Sequence, residues 1–81
     1  MKNISIYDNG GETIDRFTVI FNDRKRVTKE GVIYECIATS ESGNAFYLHT
    51  EAMKGSHLGK EIDFSKLSLP LQNKLLIELN K

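Results

Sequence analysis

The chain has 81 residues and a mass of 9.2 kDa, enough for one hydrophobic core and too little for a second domain. Apolar residues make up 40% and charged residues 27% of it, with a single proline, a composition that folds and excludes a disordered tail. Eleven basic residues balance eleven acidic ones, which argues against a domain that holds nucleic acid mainly by neutralising phosphates but leaves a local basic patch open.

Cys36 is the only cysteine, so neither an internal disulfide nor a multi-thiolate zinc site can form, and a reducing compartment is expected. No stretch approaches the roughly 18 apolar residues of a membrane span. The opening residues lack the basic and apolar regions of a secretory signal, so the expected location is the cytoplasm, away from membranes.

In chain order, Asn3 to Tyr7 alternates with Ile4 and Ile6 on one side, and Arg16 to Phe21 places Phe17, Val19 and Phe21 on one side. Both predict strands. Between them Asn9-Gly10 supplies the positive φ of a hairpin turn and Gly11 relaxes any bulge that a longer loop needs. Arg24, Lys25, Arg26 and Lys29 fall on a long connection to the third strand, flanked by Asp23 and Glu30. Val32 to Ala38 is apolar on both parities, the pattern of a central strand covered on both faces. Ser40 to Asn44 reads as a polar turn. Ala45 to His49 reads as a strand with Phe46 and Leu48 inward and Tyr47 and His49 on the opposite face. Glu51 to Lys60 reads as a loop, and Glu61 to Phe64 as a short edge strand burying Ile62 and Phe64.

The period then changes. From Ser68 to Asn80, Leu71, Leu75 and Leu79 recur at steps of four with Leu76 widening the stripe, which predicts an amphipathic helix with Ser68 as N-cap and Pro70 in the first turn. The expected fold is α+β: four or five antiparallel strands in a strongly twisted sheet or partly closed small barrel, with one C-terminal helix packed on it. Ile20 points away from the Phe17, Val19 and Phe21 side, so a second face needs a cover. The expectation is a homodimer with Ile20 and Tyr34 or Ile33 near its contact, barrel closure being the alternative.

The chemistry-bearing residues form no complete set. His49-Thr50-Glu51 has the spacing of zinc deaminases, which also need two thiolates. His49, Glu51 and His57 make at most a three-ligand site near a loop, and neither a metal nor a cofactor is expected. Gly55 to Glu61 is one residue short of a phosphate loop, and Glu61 stands where Ser or Thr binds magnesium. Cys36, mid-strand among Tyr34, Ile37 and Ala38, reads as a buried hydrophobe. Arg24, Lys25, Arg26 and Lys29 leave open an alternative: binding of nucleic acid or a small phosphorylated ligand. A third reading, an enzyme, would need Asp8, Asp15, Arg16 and His57 to converge in one pocket.

Two stretches carry a resemblance. Ile6-Tyr7-Asp8-Asn9-Gly10-Gly11 through Asp15-Arg16-Phe17-Thr18-Val19 resembles the opening of small uncharacterised proteins of bacteriophages and mobile elements, which read YDNGG, a short gap, then DRYTV. Gly55 to Phe64 is similar to their HLGK-x-I-x-F stretch. Phe17 stands where tyrosine is usual, and Asn22 to Glu51 shares no nameable likeness. The resemblance implies a setting without an activity, and a joint binding site of Asp8, Asn9, Gly10, Gly11, Asp15 and Arg16 with His57, Gly59 and Lys60. Turn-building is the competing explanation of the same residues. The expected function is a non-enzymatic binding protein of phage or mobile-element origin that inhibits or redirects a host protein, such as a defence component.

Overall fold

The computed structural model describes residues 3–81. Strands β1 (Ile4–Asp8), β2 (Phe17–Thr28), β3 (Gly31–Thr39), β4 (Phe46–Ala52) and β5 (Lys60–Ile62) form one antiparallel sheet in the order β4-β3-β2-β1-β5, followed by helix α1 (Leu69–Leu79). The fold is α+β. β4 and β5 lie at opposite edges and do not pair, so the sheet is open and the barrel alternative fails. β2 is the middle strand, and β3, expected there, sits between β2 and β4. No helix of the described residues is long and apolar enough to cross a membrane.

Alternation builds the core as expected. Ile6 of β1, Phe17, Val19 and Phe21 of β2 and Ile37 of β3 face α1, which contributes Leu71 and Leu75, both 0% exposed. The Ser68 hydroxyl accepts from the Leu71 amide and Pro70 occupies the first turn, so the helix starts where its capping chemistry sits. Lys74 Nζ donates to the Gly43 carbonyl at 2.6 Å and ties the helix to the β3–β4 turn. Ile62 and Phe64 pack on the core as expected, although β5 ends at Ile62 and Phe64 opens a 3-10 turn.

Two irregularities correct the sequence reading. β2 runs on to Thr28, so Arg24, Lys25 and Arg26 belong to a strand, and of the basic stretch only Lys29 lies on the β2–β3 turn. Phe21 to Arg24 stand opposite Glu35 alone, after which Lys25 pairs with Tyr34 and Arg26 with Ile33. Apolar alternation stops there while the pairing with β3 continues, and the exposed arginines meet carboxylates across the sheet, Arg24 with Glu35 and Arg26 with Glu51. In β4, Leu48 and His49 both stand opposite Ile37, since Ala38 pairs with Tyr47 and Cys36 with Thr50. This bulge leaves Leu48 39% exposed instead of packed inward, and puts His49 at φ 60. β4 also continues through Glu51 and Ala52, where a loop was expected.

The second face is buried in part within one chain, although Tyr47, opposite Ala38 on that face, is 52% exposed. It carries Tyr7, Ile20, Tyr34 and Cys36, and Ile20 and Cys36 are 0% and 2% exposed. The connection 53–59 joins β4 and β5 at opposite edges of the sheet. Lys54 Nζ lies 4.7 Å from the centroid of the Tyr34 ring on the way. Ile20 therefore offers no surface for a dimer contact, and Ile33 and Tyr34 are half-buried. Leu75→Ala should cost about 2–5 kcal/mol, measured by urea unfolding; a loss below about 1 kcal/mol would contradict the helix-on-sheet packing.

Candidate functional site

Residues 9–16 between β1 and β2 form a loop held by its own side chains. The Asn9 amide donates to the Arg16 carbonyl at 3.0 Å and closes its base. Asn9 Oδ1 accepts from the amides of Gly11 and Glu12, and Asn9 Nδ2 donates to Thr13 Oγ1 and to the Asp15 carbonyl. Gly10 and Gly11, at φ 79 and 87, supply the left-handed backbone that folds the chain back. Asp15 enters this network through its backbone.

Asp8 and Arg16 form a bidentate pair beneath the loop. Arg16 Nε and Nη2 donate to the two Asp8 oxygens at 2.7 and 3.0 Å, and the Gly10 amide donates to Asp8 Oδ1 at 2.8 Å. Arg16 Nη1 also bonds Glu41 from the β3–β4 turn, so one guanidinium joins two loops. The hydrogen-bonded Arg16 holds the Asp8 carboxyl below the usual carboxylate range, against a smaller opposing effect of burial.

The late loop joins this site through backbone. Lys60 pairs with Asp8, and Gly59, at φ 101, lies so close that a Cβ there would fall 2.1 Å from the Asp8 carbonyl oxygen. The two stretches that carry the resemblance therefore meet. His57 does not join them as a ligand-facing group: it is exposed on the 3-10 turn Ser56–Leu58, with its ring against Gly55.

Beside the pair lies an open groove of about 530 Å³, floored by Phe17, Ile62 and Leu67 and rimmed by Asp8, Arg16, Glu41 and Lys66. Asp15 and His57 do not line it, so the four residues required by the enzymatic reading do not converge. Glu41 and Lys66 carried no sequence signal, because each is an ordinary polar residue brought in by the β3–β4 turn or by the turn before α1. No match emerges when the chain is compared with protein-family models, curated proteins and solved structures.

The remaining candidates separate. Among the described residues, no three His, Cys, Asp or Glu side chains come together as a metal site. Cys36 is buried with its sulfur 3.1 Å from Thr50 Oγ1, and burial pushes its thiol pKa up, away from the reactive thiolate. In the basic stretch Arg24 and Arg26 each bond a glutamate at 3.0 Å, and Arg24 also covers the Phe21 ring.

Gly59→Ala should destabilise by about 2–4 kcal/mol, from the clash with the Asp8 carbonyl and the positive φ together. Thermal or urea unfolding reads this directly. Asp8→Asn should cost about 1–2 kcal/mol at neutral pH. Because the folded-state pKa of Asp8 is depressed, its contribution is present above the usual carboxylate range and lost as pH falls through the folded value. The stability gap between wild type and variant should therefore close in acid. A gap that persists at the lowest pH where the fold survives would contradict the pairing.

Proposed function

We propose that the chain is a small non-enzymatic binding protein of phage or mobile-element origin, which docks on a host protein in the bacterial cytoplasm through the groove beside the glycine loop and inhibits or redirects it. The observation that carries this reading is the division of labour at the groove. The loop's own polar groups are consumed in holding its shape, while an apolar floor is left open beside Glu41 and Lys66, which are exposed. A preformed surface of this kind binds with little ordering cost. The phage setting is supported by the sequence resemblance alone.

The alternative, capture of nucleic acid or a small phosphorylated ligand by Arg24, Lys25, Arg26 and Lys29, has less support because both arginines are already neutralised by Glu35 and Glu51. The test is affinity capture from bacterial lysate with wild type, Glu41→Lys and Lys66→Glu as parallel baits. One protein retained by wild type and lost from both variants is the expected result. No retained protein, or equal retention by all three baits, would overturn the groove as the docking surface.

A further inference from the structure

Asn9 is the only one of the chain's six asparagines that is followed by glycine. Glycine has no side chain to hinder its own backbone nitrogen, so this pair has the least obstructed route to the five-membered ring through which an asparagine loses its amide. The Gly10 nitrogen attacks Asn9 Cγ and forms the new N–C bond, its proton leaves with Nδ2 as ammonia, and a succinimide remains. Water then opens either carbonyl C–N bond of the ring and leaves aspartate or isoaspartate at position 9. The fold engages every group that takes part. Asn9 Nδ2 donates to Thr13 Oγ1 at 2.9 Å and to the Asp15 carbonyl at 3.1 Å, and Asn9 Oδ1 accepts from the Gly11 and Glu12 amides at 2.8 and 3.2 Å. The Gly10 amide donates to Asp8 Oδ1 at 2.8 Å.

We propose that Asn9 is a modification site at which the chain deamidates itself, and that the hydrogen bonds of the glycine loop set the rate by holding the site closed. Ring closure makes Cγ tetrahedral and turns it toward the Gly10 nitrogen, which pulls Oδ1 and Nδ2 away from four partners at once. It also strips the Gly10 nitrogen of its proton. The Asp8 carboxylate accepts that N–H, and its negative charge opposes an anionic nitrogen beside it. Asp8 stays in place because Arg16 grips both of its oxygens, at 2.7 and 3.0 Å, and Arg16 is itself bonded to Glu41 of the β3–β4 turn. The site therefore reacts from the opened loop, and the Arg16 contacts control how often the loop opens. Residues 10–14 are exposed, so the loop opens without disturbing the core beneath α1. Conversion changes the loop for good. A carboxylate at position 9 has no proton to give Thr13 Oγ1 or the Asp15 carbonyl and stands next to Asp8. The isoaspartate product also lengthens by one carbon the segment that the Asn9 amide and the Arg16 carbonyl close. This inference stands whether or not the groove docks a partner.

The test incubates the full chain at neutral pH and follows Asn9 by peptide mapping and mass spectrometry, with a blocked peptide of residues 7–13 as the open reference. Conversion at Asn9 is expected in the folded chain, on the order of tenfold more slowly than in the peptide. Arg16→Ala should speed it about threefold or more, toward the peptide rate. Thr13→Ala, which removes one acceptor of Nδ2 and leaves the Asp8–Arg16 pair intact, should speed it less. Leu79→Ala weakens packing at the far end of α1 and should leave the rate unchanged. Asn9→Asp reproduces one product and should lower the melting temperature. A folded-chain rate equal to or above that of the peptide, or equal acceleration by Leu79→Ala and Arg16→Ala, would overturn the control by the loop. Absence of conversion in Arg16→Ala and Thr13→Ala over several peptide half-lives would overturn the site itself, and an unchanged melting temperature in Asn9→Asp would overturn its effect on the loop.

Discussion

The contact of Leu71 and Leu75 with the Phe17, Val19 and Ile37 side of the sheet decides where both ends of α1 fall. An isolated helix of this length is marginal in water, so its persistence depends on burying those leucines, at about 1.5–3 kcal/mol for each side chain removed from water. Once seated, the helix places Ser68 beside the Asp8–Arg16 pair and Glu78 beside the bulge of β4. The groove at the helix start is thus an end effect of that packing contact. On the second face Ile20 and Cys36 are buried although the helix packs on the first, and Lys54 of the connection 53–59 lies over the Tyr34 ring there.

The glycine loop illustrates how a polar segment becomes rigid without apolar burial. Asn9 satisfies two backbone amides and two oxygen acceptors, and Asp8 receives three donors. With its own polar groups bonded, the loop frames a groove floored by Phe17, Ile62 and Leu67 and rimmed by Lys66 and the Arg16-paired Glu41. Gly59 reinforces the frame, because close approach of two backbones excludes a side chain there.

Charge balance in the composition becomes local pairing in space. Arg16, Arg24 and Arg26 all bond carboxylates from other segments. Exposed pairs of this kind add little stability, but they change the surface: in the run Arg24-Lys25-Arg26 both arginines face carboxylates from other strands instead of standing on a free loop.

Periodicity and capping chemistry in the sequence determined the fold class, the N-terminal hairpin, the core residues of β1, β2 and α1, and the helix start at Ser68, because each depends on neighbours within a few positions. Asp8, Arg16 and Gly59 were legible for the same reason, as turn residues or as part of the resemblance. What only the tertiary structure decided depends on register. An inserted residue in β4 reverses which side chains face inward, so Leu48 becomes exposed and His49 enters a cavity, and no local pattern marks the insertion. The strand character of Lys25 and Arg26 comes from pairing with Tyr34 and Ile33 of β3, across the sheet from them. Glu41 and Lys66 reach the groove through turns that only the sheet order brings alongside Arg16. Contacts between distant positions leave no trace in local alternation, and the groove beside Arg16 is lined by residues from such distant positions.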